Sequence, residues 1–197
     1  MDLILDIDTQ VDFMQPFGSL YVPKAETIIG NIKNLLSDLY LPIISTVDEH
    51  DENDEEFNTF PRHCVKNTHG AWKIPETLVY SPDYVTRCDK ELTPLQLTQN
   101  KQFILPKRTY NIWDEKLGNP DAMNQILEHF CPEIIHVMGI ATDICVLAMV
   151  KGLAEIIGYT RIILHIDCMK GLTTESEEKA LEEMLSLPRV WDSKETY

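Results

Sequence analysis

Ile134-Ile135-His136-Val137-Met138 runs into Gly139-Ile140-Ala141-Thr142-Asp143-Ile144-Cys145, and Val146 and Met149 follow at helical spacing. The first five residues form a short, largely β-branched apolar run, which predicts a strand buried on both faces. Gly139 supplies a turn, and residues 143–156 predict a helix. One strand, one glycine turn and one helix make the repeating unit of an α/β protein.

The same alternation extends toward both ends of the chain. Upstream, strands are expected at 2–8, 42–47 and 102–106. A helix at 24–39 carries Ile28, Ile32, Leu35, Leu36 and Leu39 on one stripe, and another opens at Asn119-Pro120-Asp121 and runs to about Phe130. Downstream, 161–166 reads as a strand, Thr174 to Glu177 as a capping box opening the last helix, and Arg189-Val190-Trp191 as a final strand. The expectation is a three-layer α/β sandwich with about six mostly parallel strands and helices on both faces. No repeat, linker or compositional break divides residues 1–197, so one domain is expected.

Composition narrows the function classes. The chain has 197 residues, 44 % of them hydrophobic, and a formal net charge of −15. That balance argues against a nucleic-acid groove and against an anionic membrane surface. The amino terminus lacks the basic segment of a secretory signal. The five cysteines are odd in number and form no CxxC pair, which reads as a cytoplasmic protein with free thiols.

Open parallel sheets place their sites beyond the carboxyl ends of the strands. The first strand ends at Asp8, followed by Gln10, Asp12 and Phe13; the second at Asp48-Glu49-His50; the third at Lys107; the fourth leads to Cys145. Cys145 reads either as a small packing residue beside Val146 and Met149 or as a nucleophile. Its place on the first helical turn favours the nucleophile, because free amides and the helix dipole stabilise a thiolate there. A nearby Lys107 is expected to lower the thiol pKa further, with Asp8 as the proton acceptor. The same turn amides suit an oxyanion. Asp48, His50 and His63 suit one divalent ion, Zn²⁺, Fe²⁺ or Mn²⁺. Glu55 or Glu56 offers a further ligand, and Cys64 an alternative one. His136, His165, Cys88, Cys131 and Cys168 read as structural, and the acidic run 51–56 as a solvated loop.

These motifs resemble the nicotinamidase and isochorismatase-like cysteine hydrolases. Asp8-Thr9-Gln10-Val11-Asp12-Phe13 resembles their D-x-Q-x-D-F opening, and Thr46-Val47-Asp48-Glu49-His50 their T-x-D-x-H segment. Phe60-Pro61-Arg62-His63-Cys64-Val65 is similar to P-x-H-C-V, and Gly139 to Val146 to G-V-A-T-D-x-C-V. The resemblance implies a triad of Asp8, Lys107 and Cys145, and a metal held by Asp48, His50 and His63. It implies a cis Ile140–Ala141 bond that lets the Ala141 and Cys145 amides form an oxyanion hole. Phe13, Phe60 and Tyr110 would contact a flat ring, and relatives of this kind self-associate into homo-oligomers. The implied activity is hydrolysis of a small amide, nicotinamide first, with other small amides and ureides as alternatives. The family's Y-S-x-F-x-G-T-D stretch is replaced here by Tyr110-Asn111-Ile112-Trp113-Asp114-Glu115, and the 109–120 segment departs from the pattern.

A second resemblance competes. Leu5-Asp6-Ile7-Asp8-Thr9 is similar to the D-x-D-x-T of haloacid-dehalogenase-type phosphatases, with Asp6 as nucleophile and Mg²⁺ as cofactor. That reading needs a later acidic pair, yet Gly171 stands four residues after Asp167. It also leaves His50, His63 and Cys145 without roles.

Overall fold

The computed structural model describes residues 1–79, 81–85, 92–99, 101–156 and 158–195; Cys88 lies outside them. One sheet of seven parallel strands organises the chain: β1 (Asp2–Ile7), β2 (Ile43–Asp48), β3 (Asp83–Tyr84), β4 (Gln102–Lys107), β5 (Ile134–Ile140), β6 (Arg161–Lys170) and β7 (Val190–Asp192). Their spatial order is β3-β4-β2-β1-β5-β6-β7. The seventh strand, beyond the six expected, is the two-residue edge β3. It carries too little sequence for any period to show.

The strands alternate between two cores. Leu3, Leu5, Val137 and Ile162 face one, with Met123 of α4 (Pro120–Phe130), Leu153 of α5 (Leu147–Ile156) and Met184 of α6 (Thr174–Leu185) packed on them. Ile4, Ile43 and Met138 face the other, with Met14 of α1 (Val11–Met14) and Ile32 of α2 (Ile29–Leu39). Both faces of the sheet are therefore covered, which is why its strands read as continuous apolar runs. Among the described residues, no helix is long and apolar enough to cross a membrane.

Local differences from the sequence expectations have identifiable causes. The helix expected from residue 24 starts as a 3-10 turn over Ala25–Ile28 and becomes α2 at Ile29. The last helix is capped by Thr173 rather than Thr174, with Ser176 completing the reciprocal pair. Asn119 does not cap α4; its side chain donates to the Val85 carbonyl, 2.8 Å away, and ties the edge strand's end to the helix start. Cys131 is exposed at the C-cap of α4 rather than packed in a core.

Chain direction reverses around β1: the chain builds outward to β2 and β4 on one side, then to β5, β6 and β7 on the other. The crevice beyond the carboxyl ends of β1 and its neighbours is the switch point of the sheet. Gly139, near the end of β5, has φ +124°. A side chain there would place its first carbon 2.1 Å from the Ile7 carbonyl oxygen. The missing side chain lets the ends of β5 and β1 lie this close.

Candidate active site

Asp8 leaves β1 in a left-handed conformation, φ +51°, which aspartate tolerates better than most residues. Thr46 donates to Asp8 Oδ1 at 2.7 Å, and the Lys107 ammonium donates to Oδ2 at 2.8 Å. Lys107 also donates to Asp48 Oδ1. Asp48 and Lys107 are register partners across β2 and β4, so one pleat presents both side chains to the same side. Asp8 and Lys107 are buried, not the solvated strand-end groups such positions commonly give.

Cys145 lies in a π-turn, Thr142–Val146, between β5 and α5. The Asp8 carboxylate acts on its thiol and helps to raise the thiol pKa. The Ile140–Ala141 peptide that precedes this turn is cis. The expected lowering of the thiol pKa is not what the site gives. Burial pushes the thiol well above its ordinary value; Lys107 pulls it down, and the Asp8 and Asp48 carboxylates push it up again. Desolvation and two acids outweigh one ammonium. Burial also opposes the charge on Lys107, but Asp48 and Asp8 hold it well above the usual lysine value, so it stays cationic.

Asp48, His50 and His63 place one ligand atom each within 4.8 Å of one another, all three residues buried. The donor set fits a divalent cation. His63 Nδ1 is 2.8 Å from the Pro61 carbonyl, which fixes its proton there and leaves Nε2, 3.9 Å from Asp48 Oδ2, as the free donor. Both ring nitrogens of His50 are buried with no hydrogen-bond partner. Burial lowers the pKa of both imidazoles, His50 to about 4, and so favours the neutral, ligating form. Burial lifts Asp48 to about 7 despite Lys107; a cation against it would act the other way. Cys64 stands outside this triple. Its thiol, pushed well up by burial, reaches the Gly70 carbonyl at 4.0 Å.

Several residues hold the triple in place. The Gln10 side chain takes the Asp48 N–H at 2.7 Å and donates to the Asp48 and Ala71 carbonyls at 2.8 Å each. Asp12 accepts from the Cys64 amide at 2.7 Å, and a side chain at Gly70 would collide with that carboxylate. The acidic run is not merely solvated: Asp54 is buried between His50 and Arg108. Gln10, Asp12 and Thr46 stand out in the sequence only as motif positions and Asp54 only as part of the acidic run; nothing there points to Arg108.

Cys145, Asp48 and His63 open onto a cavity of about 100 Å³, walled by Phe13, Phe60, Tyr110, Ile140, Ile144 and Leu172, with Glu56 near Asp48. It is small beside the ~300–1,000 Å³ of a drug-sized site. Among the described residues, no lysine or arginine lines it. Glu55 is exposed and not part of the wall. Larger depressions lie elsewhere. One of about 630 Å³, between Tyr40, Ile43 and Lys101, sits at the opposite ends of the strands, away from all of this chemistry.

Asp6, the nucleophile of the phosphatase reading, is fully buried. Its oxygens accept from Thr9 (2.8 Å), Ser45 (2.9 Å) and Lys73 (2.5 Å). A carboxylate so enclosed has no approach for a phosphate ester, and that reading fails.

A doubly wound parallel sheet with an acid, an ammonium and a thiol at its switch point, beside an Asp/His/His triple, describes the class. The family model described as Isochorismatase domain matches residues 2–194, and the chain belongs to that family. It is 26 % identical over 218 residues to the nicotinamidase of Saccharomyces cerevisiae, covering 93 % of this chain and 95 % of that one. The structure of the pyrazinamidase of Pyrococcus horikoshii in complex with zinc is similar at 26 % identity, TM-score 0.74, covering 97 % of each chain. The N-carbamoylsarcosine amidase of Thermoplasma acidophilum shares the fold at 17 % identity and TM-score 0.69, covering 97 % of this chain and 94 % of that one.

Proposed function

We propose that this chain is a nicotinamidase: an amide hydrolase that converts nicotinamide and water to nicotinate and ammonia. The observation that carries the reading is one buried carboxylate, Asp8, held by the Lys107 ammonium and electrostatically coupled to the Cys145 thiol, which itself lines a small, largely apolar cavity. The 26 % identical nicotinamidase and pyrazinamidase support the choice of substrate.

The reaction starts from a neutral thiol, because burial disfavours the thiolate. Asp8 takes the Cys145 proton as sulfur attacks the carboxamide carbon, so charge passes from the carboxylate to the developing oxyanion. The Ala141 and Cys145 amides hold that oxyanion. Asp8 returns the proton to nitrogen, the C–N bond breaks, ammonia leaves and a thioester remains. Asp8 then takes a proton from water as water attacks the thioester; the C–S bond breaks, and the proton goes back to sulfur. Lys107 stays charged throughout and keeps Asp8 in place. Phe13, Phe60 and Tyr110 position the ring. A divalent ion held by Asp48, His50 and His63 would supply Lewis acidity at that end of the cavity.

Carbamoyl amino acids and acidic ureides fit less well. They carry a carboxylate, while the charged side chains on the wall, Asp48 and Glu56, are acids. Like charge in a small apolar site opposes such ligands. The test is ammonia release from nicotinamide by the purified protein, with N-carbamoylsarcosine as the comparison substrate. Cys145→Ala abolishes release, and a chelator diminishes it. A fully active Cys145→Ala protein, or preference for the carbamoyl acid, refutes the proposal.

A further inference from the structure

His50 and His63 are held from behind by different partners. His63 rests on the neutral Pro61 carbonyl. His50 instead has Asp54 Oδ2 3.4 Å from its Nδ1, a charged neighbour at ion-pair distance that is not in line for a hydrogen bond. That oxygen also takes Arg108 through Nε at 2.9 Å and Nη2 at 2.7 Å, while Arg108 Nη1 lies 3.3 Å from Asp51. The other Asp54 oxygen accepts from the Glu56 amide at 3.1 Å and caps the 3-10 turn Glu55–Asn58. The His50 backbone is pinned as well, its N–H on the Cys64 carbonyl and its carbonyl under the Lys66 amide. Two cations adjacent in sequence thus serve opposite sides of the triple. Lys107 faces inward to Asp8 and Asp48, and Arg108 faces outward to Asp54.

We propose that Asp54, braced by Arg108, is a positioning residue that keeps the His50 proton on Nδ1, the nitrogen it faces at 3.4 Å, and so leaves Nε2 to the metal. This rests on the reading of Asp48, His50 and His63 as the metal site. A carboxylate behind a ligating imidazole makes it a better donor and locks its ring; loss of such a partner typically weakens metal binding about 10–100-fold. Arg108 keeps Asp54 charged and in place, so its removal produces a smaller weakening of the same sign. The sequence carries no hint of the pair, because Asp54 sits in an acidic run and Arg108 follows a lysine that already has a role.

The test is zinc titration of the metal-stripped full-length protein against a chromophoric chelator. The wild type binds one equivalent. Asp54→Asn weakens binding about 10–100-fold, Arg108→Met weakens it less, and Asp54→Glu recovers part of the loss. Asp51→Asn, at an exposed position, leaves it unchanged. ¹⁵N spectra of the metal-free proteins show His50 as one Nδ1–H tautomer in the wild type and as a mixture in Asp54→Asn, a change that loss of fold stability alone does not produce. If Asp54→Asn does not fold, Arg108→Met decides. Wild-type affinity in both variants, with zinc bound by the wild type, overturns the proposal alone. A wild type that binds no zinc overturns the metal reading and this proposal with it.

Discussion

Two lysines are buried in this molecule against aspartates only two residues apart, and their surroundings differ. Lys73 donates to Asp6 at 2.5 Å and to Thr9 at 2.7 Å; Ser45 completes the shell of the fully buried Asp6, and neither Asp6 nor Lys73 lines any of the cavities described. Lys107 sits between two carboxylates, Asp8 and Asp48, close to the Cys145 thiol and the Asp48/His50/His63 triple, and Asp48, His63 and Cys145 line a cavity. The first cluster has one cation, one acid and neutral hydroxyls, and it has no spare valence. The second holds more acid than Lys107 can neutralise, as well as two imidazole nitrogens of His50 with no hydrogen-bond partner. A buried ion pair alone therefore does not mark a site; unbalanced charge next to open space does.

Removing the acids one at a time tests this contrast most severely. Asp8→Asn should lower ammonia release by about 10²–10⁴-fold, the usual range for a lost proton carrier, while Asp6→Asn should lower thermal stability and leave most turnover intact. Equal activity losses would break the distinction. Next in size is the closed pair's own energetics. Lys73→Met strands a fully buried carboxylate and should cost about 3–5 kcal/mol in denaturant unfolding. Asp6→Leu combined with Lys73→Met should recover most of that, since Thr9 keeps Thr77 and Ser45 keeps Gln102 as partners. Failure of the double variant to recover would mean that the cluster acts as more than a structural pair.

A third buried cluster sharpens the comparison because it has no acid in direct contact. His136 Nδ1 and His165 Nε2 are 2.9 Å apart. Burial lowers both pKa values, His165 to about 4, and the nearby Asp2, Asp167 and Asp192 do not restore them. A depressed histidine contributes stability that is present above its unfolded value and lost as pH falls through the folded one. Thermal unfolding temperature should accordingly drop between pH 6.5 and about 4, and the drop should shrink in His165→Gln. An unchanged slope would place the acid sensitivity elsewhere. The smallest expected effect is in labelling: iodoacetamide near neutral pH should modify exposed Cys131 before Cys145, whose thiol burial holds protonated. Faster loss of activity than labelling of Cys131 would show that the open cluster lowers the thiol pKa after all.

The sheet was legible because strands buried on both faces leave continuous apolar runs between helical stripes. The edge pair Asp83–Tyr84 was not, having no period to read. The meeting of Asp8, Lys107 and Cys145 could be expected from strand-end positions, since a parallel sheet brings those ends together. The sign of the Cys145 shift could not, because it depends on how deeply the thiol is buried and on the presence of Asp48. The irregular stretch after His50 hid the most. Asp54 looks like its acidic neighbours, and only the folded chain shows it turned inward to His50 while Asp51 stays in solvent. Lys73 was equally silent, a lone lysine between Trp72 and Ile74.

Gly139 bears on how this enzyme can vary. Asp8 and Cys145 follow the ends of neighbouring strands, and a gap between those strands too narrow for one methyl group sets their separation. Diversifying the aromatic wall would retune which rings are accepted, but an alanine at this hidden seam would pry proton carrier and sulfur apart for every substrate alike.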